Sequence, residues 1–135
     1  MSAFDDTFTS LFEDALKDLK CQPDTKAYII SIYVKYKTSD FDLSKDSVTL
    51  MFAQARNKHS FYLYQNLADW IFFSNTMHPN HLKFASKEYY DTIARLSYNS
   101  CYNLINRKWQ LFQELSDNFI DLEEQAKNKI YKLKF

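Results

Sequence analysis

The sequence predicts an all-α protein, a single-domain bundle of about six helices covering residues 1–135. Three observations carry this. Apolar residues recur at three- and four-residue spacing along most of the chain, the period of a helix with one buried face. Glycine is absent, although average usage of about 7% would give roughly nine. Without glycine a chain has no cheap positive-φ positions, which disfavours tight hairpins, phosphate-cradling loops and dinucleotide-binding folds. Finally, aromatic residues make up 18% of the chain, with twelve Phe, ten Tyr and two Trp. Such rings fill a core quickly, and each buried Tyr must also find a partner for its hydroxyl.

The first helix is expected over about residues 3–20, with Phe4, Phe8, Leu11, Phe12, Ala15 and Leu19 in one stripe. Ser2 is a suitable N-cap, and Asp5 and Asp6 suit the first turn. Cys21, Gln22 and Pro23 break the helix. Pro23 then opens the second, to about residue 37. Its YIISIYVKY segment would also suit a strand, but no other convincing strand exists to pair with it. A polar loop leads to a third helix over about residues 45–57, with Val48, Met51, Phe52 and Ala55 on one face. The fourth, over 61–77, is apolar around most of its circumference, as a central buried helix should be. Pro79 ends it, and Ser86 caps a fifth over about 87–106. There Tyr90, Ile93, Ala94, Ser97, Cys101, Leu104 and Ile105 are expected to face inward. Arg107 and Lys108 mark a break. The last helix is expected over 109–132 with Phe112, Leu115, Phe119, Leu122, Ala126, Ile130 and Leu133 on one side, its far end extended or frayed.

Candidate chemistry concentrates in LADWIFFSNTMHPNHL, residues 67–82. Asp69 interrupts the densest apolar run, and a carboxylate there is costly to bury unless paired and hydrogen-bonded. It is read as structural, accepting from a Tyr, a His or Arg56 of another helix, with Trp70, Tyr90 and Tyr98 as further structural residues. The alternative makes Asp69 a general base or metal ligand. His78 and His81 flank Pro79, and imidazoles three apart can share a metal. Asp69, His78 and His81, with His59 as a further donor, are therefore the metal candidates, although no helical HExxH or ExxH pair supports them. No catalytic or cofactor-binding residue is assigned, and no cofactor is expected. Cys101 reads as a core thiol without a histidine partner.

Seventeen basic and seventeen acidic residues balance to zero. A nucleic-acid binder usually shows a basic excess or stripe, so that partner is disfavoured. Lys127, Lys129, Lys132 and Lys134 read as cations suited to a helix C-terminus. The two cysteines form no CxxC, the start MSAFDD is unlike a signal peptide, and no apolar run approaches a membrane span. The expectation is a cytoplasmic protein with reduced thiols and no membrane partner.

Two segments, LADWIFFSNTMHPNHL and EYYDTIARLSYNSCYNL, resemble an uncharacterised all-helical family of bacteria and of tailed phages of marine bacteria. Leu67, Asp69, Ile71, Phe72, Pro79, Tyr89, Tyr90 and Tyr98 carry the likeness. Ala68 stands where that family has Gly, and His78 where it has Phe. The resemblance implies a helical fold and a bacterial or phage source; the family carries no known activity over. The function expected is a non-enzymatic protein-binding or homo-oligomeric module, since Phe, Tyr and Trp are enriched in interface cores. The alternative is a metal-dependent enzyme or metalloprotein around Asp69, His78 and His81.

Overall fold

The computed structural model describes residues 3–36, 45–77 and 85–133. They form seven helices: α1 (Ala3–Leu16), α2 (Pro23–Tyr36), α3 (Lys45–Lys58), α4 (Phe61–Met77), α5 (Lys87–Leu104), α6 (Gln110–Asp117) and α7 (Phe119–Tyr131). Among the described residues there is no strand, and no helix is long and apolar enough to cross a membrane.

Helix α4 is the axis of the bundle. Residues 67–74 are all buried, more than two full turns, so neighbours cover every side of the helix. Those neighbours are α2, α3, α5 and α7, while α1 closes over α2 and α7. The ambiguous YIISIYVKY is helical because its buried residues, Ile29, Ile32, Tyr33 and Tyr36, follow i, i+3, i+4, i+7. Alternating residues, as in a strand, would have put only part of that set on α4.

Rings do much of the packing. Phe12 stacks on Tyr33 at 5.2 Å between centroids, and Tyr36 stacks on Trp70 at 4.8 Å. Phe72 meets Phe119 edge-on at 5.7 Å. Such pairs contribute about 0.5–1.5 kcal/mol each beyond the area they bury. The fully buried Tyr33 keeps its hydroxyl partnered, donating to Thr76 Oγ1 at 2.6 Å while Thr76 donates onward to the Phe72 carbonyl.

Three boundaries differ from expectation, two of them where a side chain claims a backbone group. Helix α1 stops at Leu16 rather than near residue 20. Lys26 Nζ donates to the Lys17 carbonyl at 2.6 Å, and Leu19 N turns back to the Leu16 carbonyl at 3.1 Å. The expected single last helix is two, which makes seven helices instead of about six. Arg95 Nε takes the Ser116 carbonyl at 3.0 Å and Ser116 Oγ donates to the Arg95 carbonyl at 2.9 Å, so the ladder breaks and α7 restarts from Asn118. Helix α5 ends at Leu104, which is exposed instead of inward, because Asn106 and Arg107 turn left-handed at φ 56° and 60°. The α3–α4 break falls where the sequence places it, at His59 with φ 48°. Ser86 caps α5 as expected, accepting from Tyr89 N at 3.1 Å. The expectations placed on Ser2, His78, Pro79, His81 and Lys134 lie outside the described residues.

Truncating the axis should be far more costly than truncating the rim. Phe72→Ala should lower the urea-unfolding free energy by about 3–5 kcal/mol, whereas Tyr131→Ala, at a position 85% exposed, should change it by less than about 0.5 kcal/mol.

Candidate functional site

Asp69 lies on α4 facing α2 and α5, and is 4% exposed. Its donors are two tyrosines. Tyr28 of α2 places its hydroxyl between the two carboxylate oxygens, 2.7 Å from Oδ1 and 2.8 Å from Oδ2. Tyr98 of α5 donates to Oδ1 at 2.7 Å. Burial pushes the Asp69 carboxyl up to about 6, and the Tyr98 and Tyr28 hydroxyls and the Lys35 charge keep it from rising further. Burial and then the Asp69 charge raise both phenols, so they remain donors. Cys101 is raised by the same two causes, and its Sγ sits 3.6 Å from the Phe61 carbonyl; a thiol so placed is a poor nucleophile. A general base needs an open lone pair within reach of a substrate, whereas phenols cap both oxygens here. The geometry suits a carboxylate that fixes the register of three helices.

A second polar cluster lies between α4, α5 and α7. Asp91 and Glu123 are both buried, Glu123 to 3% exposure. Asn75 Nδ2 bridges them, donating to Asp91 Oδ1 at 3.0 Å and to Glu123 Oε2. Lys87 Nζ bridges them from the solvent side, 2.5 Å from Asp91 Oδ2 and 3.3 Å from Glu123 Oε1. Burial raises Glu123 to about 8, and the adjacent Asp91 adds to the effect, while Lys87 and Asn75 oppose it. Glu123 is therefore harder to ionise than a free carboxyl. Burial alone would lower Lys87, but Asp91 and Glu123 outweigh it and hold the ammonium above its usual value.

Sequence reasoning did not single out this cluster. The signal was available: Asp91 adjoins Tyr90 and lies three residues before Ala94, and Glu123 lies four after Phe119 and three before Ala126. Each acid thus shares the inner face of its helix. Lys87, four residues before Asp91, was the cue for pairing. Of the residues expected to hold the core, Trp70 stacks on Tyr36, Tyr90 is fully buried, and Tyr98 caps Asp69. His59 is exposed at the α3–α4 turn. His78 and His81 lie outside the described residues, and among those described no three His, Cys, Asp or Glu side chains gather to hold a metal. Surface clefts of about 320 Å³ beside Leu96 and about 470 Å³ beside Trp109 are lined by neither carboxyl cluster. No family model, curated protein or solved structure matches the chain.

Asp69→Ala leaves two phenols without their acceptor, and each such loss costs about 1–3 kcal/mol. A drop of several degrees in melting temperature is expected, and an unchanged melting curve would show that the carboxylate anchors nothing.

The raised carboxyls also set a pH dependence. A carboxyl whose folded value exceeds its unfolded value is better tolerated protonated, so stability is lost as pH rises between the two. For Asp69 the window runs from about 4 to about 6, and for Glu123 from about 4.5 to about 8. The urea midpoint should therefore fall steadily from pH 4.5 to pH 8. Glu123→Gln should flatten the part above pH 6, and Asp69→Asn the part below it.

Proposed function

We propose that the chain is a non-enzymatic helical module that works by protein association, chiefly with a second copy of itself. The buried carboxyls Asp69, Asp91 and Glu123 are all taken up by partners inside the bundle. What remains for function is surface, and one feature supports self-association above the rest. Between α5 and α6 a cleft carries Thr92, Arg95, Leu96, Asn99, Ser116 and Asp117. Leu96 is 48% exposed at its edge. Arg95 is held rigid by its bond to the Ser116 carbonyl, so little side-chain entropy is left to lose on docking. A surface joining an apolar side chain, a cation and an acid is self-complementary, as an isologous two-fold interface requires. In such a pair Arg95 of one copy faces Asp117 of the other, a geometry guanidinium and carboxylate favour. A bacterial or phage source accompanies this reading, on the resemblance carried by Leu67, Asp69, Tyr89 and Tyr90.

Sedimentation equilibrium should show a dimer at high micromolar concentration. Leu96→Asp and Asp117→Lys should each convert it to monomer without lowering the melting temperature. A wild-type protein that stays monomeric throughout that range would end the proposal.

A further inference from the structure

The α3–α4 and α5–α6 turns meet at one end of the bundle. Cys101 Sγ reaches the Phe61 carbonyl there, and the Phe61 ring lies 5.5 Å from Tyr62 and 6.5 Å from Trp109. The outer rings of this series face solvent, Tyr62 at 72% and Trp109 at 57% exposure. The residues of the two turns and their flanks include four exposed cations, Arg56, Lys58, Arg107 and Lys108, of which Lys108 lines a cleft with Trp109. Residues 56–62 and 103–110 contain no Asp or Glu. Asp24, from the start of α2, lines the cleft that Lys108 and Trp109 also line.

Backbone conformation marks the same end. Among the described residues the non-glycine positions with positive φ are His59, Asn106 and Arg107, and all three lie in these two turns. Glycine would take those conformations at no steric cost. Arg107 instead keeps a cation there, and strain of this kind tends to sit at functional sites.

We propose that this end binds single-stranded nucleic acid. Trp109 and Tyr62 offer their faces to unstacked bases, and Arg56, Lys58, Arg107 and Lys108 contact the phosphates. Stacking platforms inside a positive groove are how strands are held without sequence preference. A duplex hides its base faces within its own stack, and an acidic peptide would use the cations but leave the exposed rings unexplained. Zero net charge does not oppose this: at physiological salt a charge acts over about 8 Å, so the local balance decides, and here the two turns carry four cations while Asp24 is the acid that lines the cleft with Lys108 and Trp109. The surface is distinct from the α5–α6 cleft, so binding and self-association can fail independently.

The test is fluorescence anisotropy of labelled oligo-dT and oligo-rU with the full chain at low salt, alongside intrinsic tryptophan emission. Trp109 is exposed and Trp70 is buried, so stacking should quench emission in the wild type, and Trp109→Ala should abolish that quenching. Trp109→Ala should weaken binding about tenfold, the scale of one lost stacking partner. Affinity should fall with salt at a logarithmic slope of about three, from roughly 0.7 per neutralised phosphate. Arg107→Gly should also weaken binding while melting no lower than wild type, which separates loss of the cation from loss of fold, and Lys108→Ala should weaken binding in the same way. Lys127→Glu with Lys132→Glu should change nothing. The proposal is overturned if neither strand binds at low salt, if only the Lys127 and Lys132 changes abolish binding, or if polyglutamate binds as tightly and gives the same quenching.

Discussion

The bundle depends on one carboxylate that has no water to rely on. Asp69 sits in the middle of the helix that every other layer packs around. An ionised group there survives only while donors stay within hydrogen-bond reach. Tyr28 and Tyr98 supply them from opposite neighbours, at 2.7 Å each. A one-residue slip of α2 or α5 along α4 would withdraw a phenol and strand the charge. Apolar packing alone imposes no such penalty, because cores tolerate many arrangements of hydrophobic groups of suitable volume.

The second cluster repeats this device further along α4. Asn75, Asp91, Glu123 and Lys87 tie α4, α5 and α7 through one amide and one ammonium shared by two carboxyls. Arg95 and Ser116 tie α5 to α6 by exchanging bonds with each other's carbonyls. Helix α5 takes part in all three ties. It therefore sets the positions of the elements around it, and its outer face and C-terminal turn are held in place from within. Both surfaces proposed for binding lie on that helix or at its end.

The turns show what a chain without glycine must do instead. Three positions adopt left-handed backbone with His, Asn and Arg, of which Arg is the one not enriched in that conformation. The hydrogen bond from Arg107 N to the Tyr102 carbonyl at 2.9 Å closes the end of α5 in the manner of a glycine-ended helix. The result is an end of the molecule rich in cations and rings, where a glycine-containing chain would carry bare backbone.

The all-helical class, the span of α4 and the break near residue 107 were legible in the sequence, because each follows from local spacing, composition or capping. Ser86 at the head of α5 and the i, i+3, i+4, i+7 pattern of Ile29, Ile32, Tyr33 and Tyr36 are local facts of the same kind. The need of Asp69 for a donor was also local, since its apolar neighbours adjoin it in sequence. Which donors answered was not: Tyr28 lies forty-one residues away and Tyr98 twenty-nine, and only the packing of α2 and α5 against α4 selects them. The pairing of Asp91 with Glu123, the break that Arg95 imposes on the last helix, and the meeting of Trp109 with Phe61 are likewise contacts between distant segments. Periodicity assigns a side chain to a face, but it does not say which face comes to lie opposite; that was decided by tertiary structure, where burying one helix's charge requires another helix's hydroxyl.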